Sequence, residues 1–369
     1  MGPYIFLLIF YIVFSLLELN PFSKWKKGIY IIFLLTPFFI LLAFRSISVG
    51  ADTSAYYNTY LRISLSSSLS EAISKSYMET GFSILEYLFS RLGFSFLSFQ
   101  VVISLFFCIS LFVYTFNHSS NPAFFFFLCL GMQVLFGMMN QTRMWIVACI
   151  GLTSLSCLRD KKYFRFILFI SLASLIHLSA IIYFFVAIVY CLYKNSKSIV
   201  AVLLITASFA ILLTGNFFFE QFVEMIDRYS RYADSNYYGI NVASVLFFVE
   251  YLFVLLLTVK SNRSPIQSVY FNSYENSYEY NTLSLEESLC LVLVSLSLAG
   301  LANPFMTRVT GLLLLPVCGL FEKHVANVKN KASRQLFLFG TFVLLTSQLF
   351  VILFLRPNWD GVVPYEFYY

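Results

Sequence analysis

The stretch FSFLSFQVVISLFFCISLFVYTF, residues 94–116, contains no charged side chain and decides the fold class of this chain. A helix that crosses the hydrocarbon core of a bilayer needs about 20 mostly apolar residues. Inside lipid the backbone polar groups must be satisfied within the segment, and an α-helix does this. The stretch therefore predicts a transmembrane helix.

The composition of the whole chain agrees with that stretch. Of 369 residues, 59% are hydrophobic and 11% are charged, and the mean hydropathy is +0.80. Soluble domains carry about 25% charged residues, so a soluble enzyme and a disordered chain are excluded. The net charge of +6 reflects loop placement and predicts no nucleic-acid partner. We predict an all-α, polytopic membrane protein in which residues 1–369 form one membrane domain with about 11–12 transmembrane helices.

One apolar stretch is too long for a single span. Residues 163–193 are interrupted by Ser171, Ser174, His177 and Ser179, and basic residues flank both ends. If both ends lie on the same side, the chain must turn back. We therefore predict a broken or re-entrant helical hairpin that turns near Leu175–Ser179, where irregular backbone would border protein or water.

Lys and Arg are unevenly divided between the two sides of the predicted membrane. The richer set of loops, which contains most of the Lys, is assigned to the cytoplasm. The opposite side then receives two larger loops, residues 45–93 and 219–241, and its basic residues are almost all Arg. Arg binds phosphate and carboxylate through two parallel hydrogen bonds, so this preference indicates an anionic ligand.

The first polar cluster on the outer side runs from Arg45 to Tyr56. Gly50 permits a tight turn, and Asp52 or Thr53 can cap a short helix after it. Tyr56 lies four residues after Asp52 and shares its helix face. An interfacial anchor with a helix cap is the alternative interpretation of these residues.

The second cluster is Asn140-Gln141-Thr142-Arg143, a short turn between two predicted spans. Arg143 falls in the first turn of a helix, where a cation opposes the helix dipole. An anion at the same helix N-terminus would bind both Arg143 and the free N–H groups. Snorkelling of Arg143 to the interface is the alternative.

Further ionisable residues on the outer side complete the set. His177 lies in an apolar stretch and can titrate near neutral pH. Arg308 lies one turn inside a predicted span, where an unpaired charge is costly. Arg228 and Arg231 lie among tyrosines that could stack on sugars or form an interfacial belt. Together with Arg45 and Arg143, these residues predict an outward-facing pocket for a polyanionic lipid head group such as a lipid diphosphate.

Four motifs, in this order, resemble those of EpsG-type polysaccharide proteins and the related Wzy O-antigen polymerases. They are Arg45…Gly50-Ala51-Asp52…Tyr56, Glu79-Thr80-Gly81-Phe82, Asn140–Arg143 and Ala173…His177-Leu178-Ser179-Ala180. Arg308 and the closing Pro364–Phe367 match less closely. The family often has Gly-Thr-Asp where this chain has Gly50-Ala51-Asp52.

The resemblance implies a polymerase of undecaprenyl-diphosphate-linked oligosaccharide repeat units in a bacterial inner membrane, with its active site facing the periplasm. It implies a lipid-linked glycan donor and acceptor as partners, beside membrane lipid, and leaves open a chain-length regulator and a flippase. We expect no cofactor and no metal, because no paired acidic residues form a metal cluster and no nucleotide-binding motif is present. An O-antigen ligase, a lipid-linked glycan flippase and a structural membrane subunit remain alternatives.

Residue roles in this hypothesis follow from charge. Arg143, Arg45 and Arg308 would neutralise the diphosphate leaving group. His177 or Asp52 would be the general base on the acceptor hydroxyl, and the choice between them stays open. The remaining predicted substrate-binding residues are Thr53, Tyr56, Glu79, Gln141, Arg228 and Arg231.

Overall fold

The computed structural model describes residues 1–17, 23–214, 242–262, 273–301, 304–328, 330–357 and 360–368. These residues form α-helices joined by short connections, and they contain no β-strand. The all-α membrane class is confirmed. In the described ranges six helices are long and apolar enough to span a membrane, or seven if one bent pair counts as a span. This is fewer than predicted, partly because apolar helices such as Gly2–Leu16 and Tyr163–Ile176 are too short to qualify.

The helices of the first half are, in chain order, α1 (Gly2–Leu16), α2 (Lys24–Ala43), α3 (Thr53–Ser64), α4 (Leu69–Lys75), α5 (Thr80–Arg91), α6 (Phe96–His118), α7 (Pro122–Gly131), α8 (Val134–Asn140) and α9 (Thr142–Arg159). Those that follow are α10 (Tyr163–Ile176), α11 (Ile182–Asn195), α12 (Lys197–Thr214), α13 (Val242–Asn262), α14 (Ser273–Ala299), α15 (Pro304–Ala326) and α16 (Lys331–Phe350).

The chain divides into two compact units. Unit 1 comprises Met1–Leu152, Leu172–Leu178 and Leu314–Tyr369, and unit 2 comprises Thr153–Ser171 and Ser179–Leu313. The predicted periplasmic loop 219–241 lies outside the described residues. Of the four resemblance motifs, the first three and the His177 segment up to Leu178 fall in unit 1.

A bent helix pair forms the centre of unit 1. Every residue of α7 is buried, and α1, α2 and α16 pack against it. Residues 122–138 are a nearly continuous apolar stretch in the sequence, but α8 bends away from α7 by 57°. Gln133, which has a φ of 64°, breaks the helix between them, because that left-handed conformation cannot continue an α-helix. The bend brings the end of α8 to the Asn140–Arg143 turn.

The predicted loop 45–93 folds as three short helices, α3 to α5, that pack on one another. Each of α3 and α5 buries one face, and the rings of Tyr56 and Phe82 meet with centroids 5.8 Å apart. The buried face of α5 is not purely apolar, since it includes Ser83 and Glu86 beside Phe82. This layer supplies two of the four motifs.

The C-terminal segment returns to the start of this layer as an extended strip. Residues 360–368 run antiparallel to residues 44–51, with an isolated bridge between Arg45 and Phe367. Ser46 N–H donates to Glu366 O over 2.9 Å, and Gly50 N–H donates to Gly361 O over 2.8 Å. The sequence showed only a weaker family resemblance at Pro364–Phe367, so the backbone pairing of this segment is new information.

Unit 2 is a helical bundle in which α14 packs against α11, α12 and α13. Lys197 and the buried Glu287 form an ion pair over 2.9 Å. The interruption predicted within residues 163–193 is present: α10 ends at Ile176, a 3₁₀ turn covers Leu178–Ile181, and α11 starts at Ile182. His177 is the residue at the break.

Candidate functional site

Arg143 is the centre of a cluster of side chains in unit 1. Its guanidinium forms an ion pair with Glu79 and hydrogen-bonds with Tyr56. It also lies 5.8 Å from the ring centroid of Tyr56 and 6.0 Å from that of Phe82. Arg143 Nε is buried and has no hydrogen-bond partner among the described residues. The cation is therefore held by side chains that can exchange for a ligand, and one of its donors is unused.

The turn between α8 and α9 fixes the backbone of Arg143. Gln141 N–H donates to Gly137 O over 2.7 Å, which closes α8. The hydroxyl of buried Thr142 donates to Met138 O over 3.4 Å. Arg143 thus occupies the first turn of α9, as predicted, beside N–H groups that have no intrahelical acceptor.

Asn140 ties this turn to the start of α3. Its Oδ1 accepts from Ala51 N–H over 2.5 Å. Gly50 allows the end of α8 to lie this close to the start of α3. It has a φ of +100°, and a Cβ there would lie 3.0 Å from Met139 O. The Thr53 hydroxyl contacts Val49 O at 2.8 Å and Met139 O at 3.3 Å. Two of the predicted motifs are therefore joined through hydrogen bonds.

The C-terminal segment is the third component of this junction. Asn140 Nδ2 donates to Asp360 Oδ1 over 3.3 Å, and Ala51 N–H donates to Asp360 O over 3.0 Å. Burial raises the pKa of the Asp360 carboxyl to about 6, against the hydrogen bond from Asn140, which lowers it. Sequence reasoning missed Asp360, because only the returning backbone places it here.

Arg45 is bound differently from Arg143. It is 4% exposed, and its guanidinium donates to Leu42 O and, over 3.3 Å, to Met139 O. Both oxygens belong to the last turns of α2 and α8, where cations stabilise the carbonyl end of a helix. Arg45 therefore fastens two helix ends. Its predicted part in binding substrate stays a prediction.

The His177 break lies against the Glu79 motif. A Cβ on Gly81 would lie only 2.6 Å from Leu175 O, so the first turn of α5 touches the backbone just before His177. His177 itself is half-buried. Since Glu79 pairs with Arg143, the close approach brings the fourth motif to the same cluster.

Glu86 is a buried acid that sequence reasoning missed. Its side chain is fully enclosed, and neither carboxyl oxygen has a hydrogen-bond partner among the described residues. Burial raises its pKa to about 8, while the charges of Arg143 and Arg62 lower it. The sequence spacing could have identified Glu86, because it follows Glu79 and Phe82 at helical intervals and so shares their helix face.

The remaining predicted residues form none of the contacts described above. Asp52 is exposed and occupies the N-cap position of α3, although its side chain makes no capping hydrogen bond. Arg308 is exposed and belongs to unit 2. Arg228 and Arg231 lie outside the described residues.

The Arg143 cluster can bind an anion and orient a neighbouring hydroxyl group. A guanidinium with an unused donor, at a helix N-terminus and beside Tyr56, suits a phosphate or diphosphate. His177 and Asp52 are the titratable groups that could accept a proton nearby.

Comparison with known proteins bears on this site. Searches of the curated proteins and of the solved structures gave no match. The EpsG family model matches residues 28–367, a range that contains the Arg143 cluster, the His177 break and most of the C-terminal strip. The chain therefore belongs to the EpsG family.

Proposed function

We propose that this chain polymerises undecaprenyl-diphosphate-linked oligosaccharide repeat units into O-antigen or a related surface polysaccharide, at the periplasmic face of a bacterial inner membrane. Membership of the EpsG family fits a polysaccharide polymerase-like function. The lipid carrier, the product and the side of the membrane belong to the proposal.

The proposal rests mainly on the environment of Arg143. It is partly buried, paired with Glu79, and left with one unused donor at the start of α9. Such a cation beside exposed apolar helices suits a lipid whose head group is a diphosphate. Glu79 would then yield its place on Arg143 to the incoming phosphate.

The reaction is a glycosyl transfer. The acceptor hydroxyl oxygen attacks the anomeric carbon of the donor, and the bond from that carbon to the diphosphate oxygen breaks. The electron pair leaves with the diphosphate, whose charge Arg143 stabilises. A general base takes the proton of the acceptor hydroxyl.

Two residues are candidates for that base. His177 lies at a helix break whose backbone touches the Glu79 motif, and imidazole titrates near neutral pH. Asp52 is exposed at the start of the α3 helix that carries Tyr56. Substituting His177 by Asn and Asp52 by Asn, one at a time, separates them: only loss of the base abolishes polymer in folded protein.

A flippase for the same lipid-linked glycans is the second candidate. Glu250 lies midway along α13, and its Oε2 is buried without a hydrogen-bond partner in the described part of the chain. Acidic residues inside membrane helices often belong to transport pathways. This residue favours transport, whereas the Arg143 cluster favours the enzyme.

Deletion of the chain's gene from its own host tests the two candidates. A polymerase mutant exposes single repeat units at the cell surface, while a flippase or ligase mutant exposes none. Glycan extracted from the surface and separated by size gives the answer. Restoration of the long chains by wild-type but not by Arg143→Ala would connect the phenotype to the cluster.

A further inference from the structure

A small cavity lies beside Arg45 in unit 1, behind the Arg143 cluster. Its lining includes the polar residues Arg45, Gln100 and Ser104 and the apolar residues Phe99 and Phe107. The volume is about 20 Å³. A cavity needs at least about 10–15 Å³ to hold a water molecule, so this one has room for one.

Two residues that line this cavity each have a buried polar atom without a partner among the described residues: Arg45 Nε, a donor, and Gln100 Oε1, an acceptor. Each residue is 4% exposed. An unpaired polar atom that is buried costs free energy, and few such atoms persist in folded proteins without a protein or water partner.

Each of the other polar atoms in these two side chains has at least one hydrogen-bond partner. The terminal nitrogens of Arg45 donate to Leu42 O and Met139 O. Gln100 Nε2 donates to Ala43 O and to Arg45 O, each over 3.0 Å. Those two carbonyls require a donor, so the amide cannot be turned over and Oε1 must accept from elsewhere.

We propose that the cavity binds one water molecule, which accepts from Arg45 Nε–H and donates to Gln100 Oε1. Water fits because it offers an acceptor and a donor in a space of this size. An anion would leave Gln100 Oε1 facing negative charge, and a cation would face the guanidinium of Arg45. A methylene group would leave both atoms unpaired.

The water completes a backbone junction rather than a substrate site. With it, each nitrogen of the Arg45 guanidinium has a partner: Leu42 O, Met139 O and the water that also binds Gln100. Arg45 then stabilises the junction between the ends of α2 and α8. This inference does not rest on the proposed function.

Substitution of Ser104 tests whether the cavity is wet or dry. Ser104 is 1% exposed, lines the cavity, and donates its hydroxyl to Gln100 O within α6. Ser104→Ala loses that hydrogen bond and leaves the cavity unfilled. Ser104→Val loses the same bond and fills part of the cavity with its methyl groups. Ser347, an exposed serine with the same bond to the carbonyl four residues earlier, gives the matched pair Ser347→Ala and Ser347→Val.

Thermal unfolding of the full-length protein in detergent is the readout. If Val displaces a bound water, Ser104→Val unfolds several degrees below Ser104→Ala, beyond the difference within the Ser347 pair. A dry cavity gives the opposite sign, because filling an empty space stabilises the fold, and this result would overturn the proposal.

A high-resolution cryo-EM map gives a direct second test. The expected result is one density peak within hydrogen-bond distance of both Arg45 Nε and Gln100 Oε1. A well-resolved map in which the cavity is empty, or in which it contains density for an acyl chain, would contradict a water site.

Discussion

Arg45 and Arg143 look alike in the sequence, yet unit 1 binds them in different ways. The carbonyl oxygens of Leu42 and Met139 hold the guanidinium of Arg45. Arg143 instead meets the side chains of Glu79 and Tyr56, and keeps an unused donor. A backbone carbonyl cannot leave without disturbing a helix, whereas a carboxylate can swing away. Arg45 therefore joins the ends of α2 and α8, whereas Arg143 can exchange its side-chain partner for a ligand.

The largest effect is expected on activity at Arg143. We expect Arg143→Ala to reduce polymer formation by about 10²–10³-fold, the loss typical of removing one group that stabilises a developing anion. Arg143→Lys keeps the charge but loses the planar pair of donors, so it should be partly active. Glycan chain length in a complemented deletion strain measures both.

Arg62→Gln is the control for Arg143, since Arg62 is an exposed Arg of the same helical layer. It should leave chain length unchanged. Wild-type polymer from a folded, membrane-inserted Arg143→Ala protein would remove Arg143 from the mechanism.

The second effect is expected on stability at Arg45. Arg45→Gln removes the donor to Leu42 O at the end of α2 and leaves Met139 O at the end of α8 with the Thr53 hydroxyl alone. An unsatisfied buried carbonyl costs about 1–3 kcal/mol. The yield of folded protein and its thermal midpoint in detergent should both fall. If Arg45→Gln were as stable as wild-type but unable to polymerise, the contrast between the two Arg residues would be wrong.

The sequence predicted the class of fold and the turns that carry Arg45, Arg143 and His177, because hydrophobic periodicity and turn chemistry are local properties. It also placed the helix interruption within residues 163–193. It could not show how each Arg is bound, since Met139 lies 94 residues from Arg45 and Glu79 lies 64 residues from Arg143. It missed Asp360 for the same reason: the pairing of residues 360–368 with residues 44–51 is a contact between the two halves of the chain.

A third effect concerns the contact between the Glu79 motif and the His177 break. Gly81→Ala would place a Cβ less than 3.0 Å from the backbone of Leu175, so one of the two segments must move. We expect a lower thermal midpoint and shorter polymer. Gly340→Ala is the control: that helical glycine has nothing within 4 Å, so Ala should stabilise it by up to about 1 kcal/mol. Equal behaviour of the two variants would contradict the contact.

The last effect is a pH dependence at Glu86. Burial raises its pKa from 4.5 to about 8, so the folded state favours the protonated form. Its contribution to stability is complete below about pH 4.5 and is lost as the pH rises through 8. Glu86→Gln cannot ionise, so its stability relative to wild-type should grow across that window, by at most about 1.4 kcal/mol per pH unit. Unfolding curves that stay parallel from pH 5 to 9 would show that Glu86 is not buried.

The central claim is that Arg143 binds the diphosphate group. The most direct measurement is the affinity of purified, full-length protein for undecaprenyl diphosphate, compared between wild-type, Arg143→Gln and the control Arg62→Gln. A charge-assisted hydrogen bond contributes about 1.5–3 kcal/mol, so the Kd of Arg143→Gln should rise by about 10- to 100-fold, while Arg62→Gln should match wild-type. Equal affinity of wild-type and Arg143→Gln would contradict the claim.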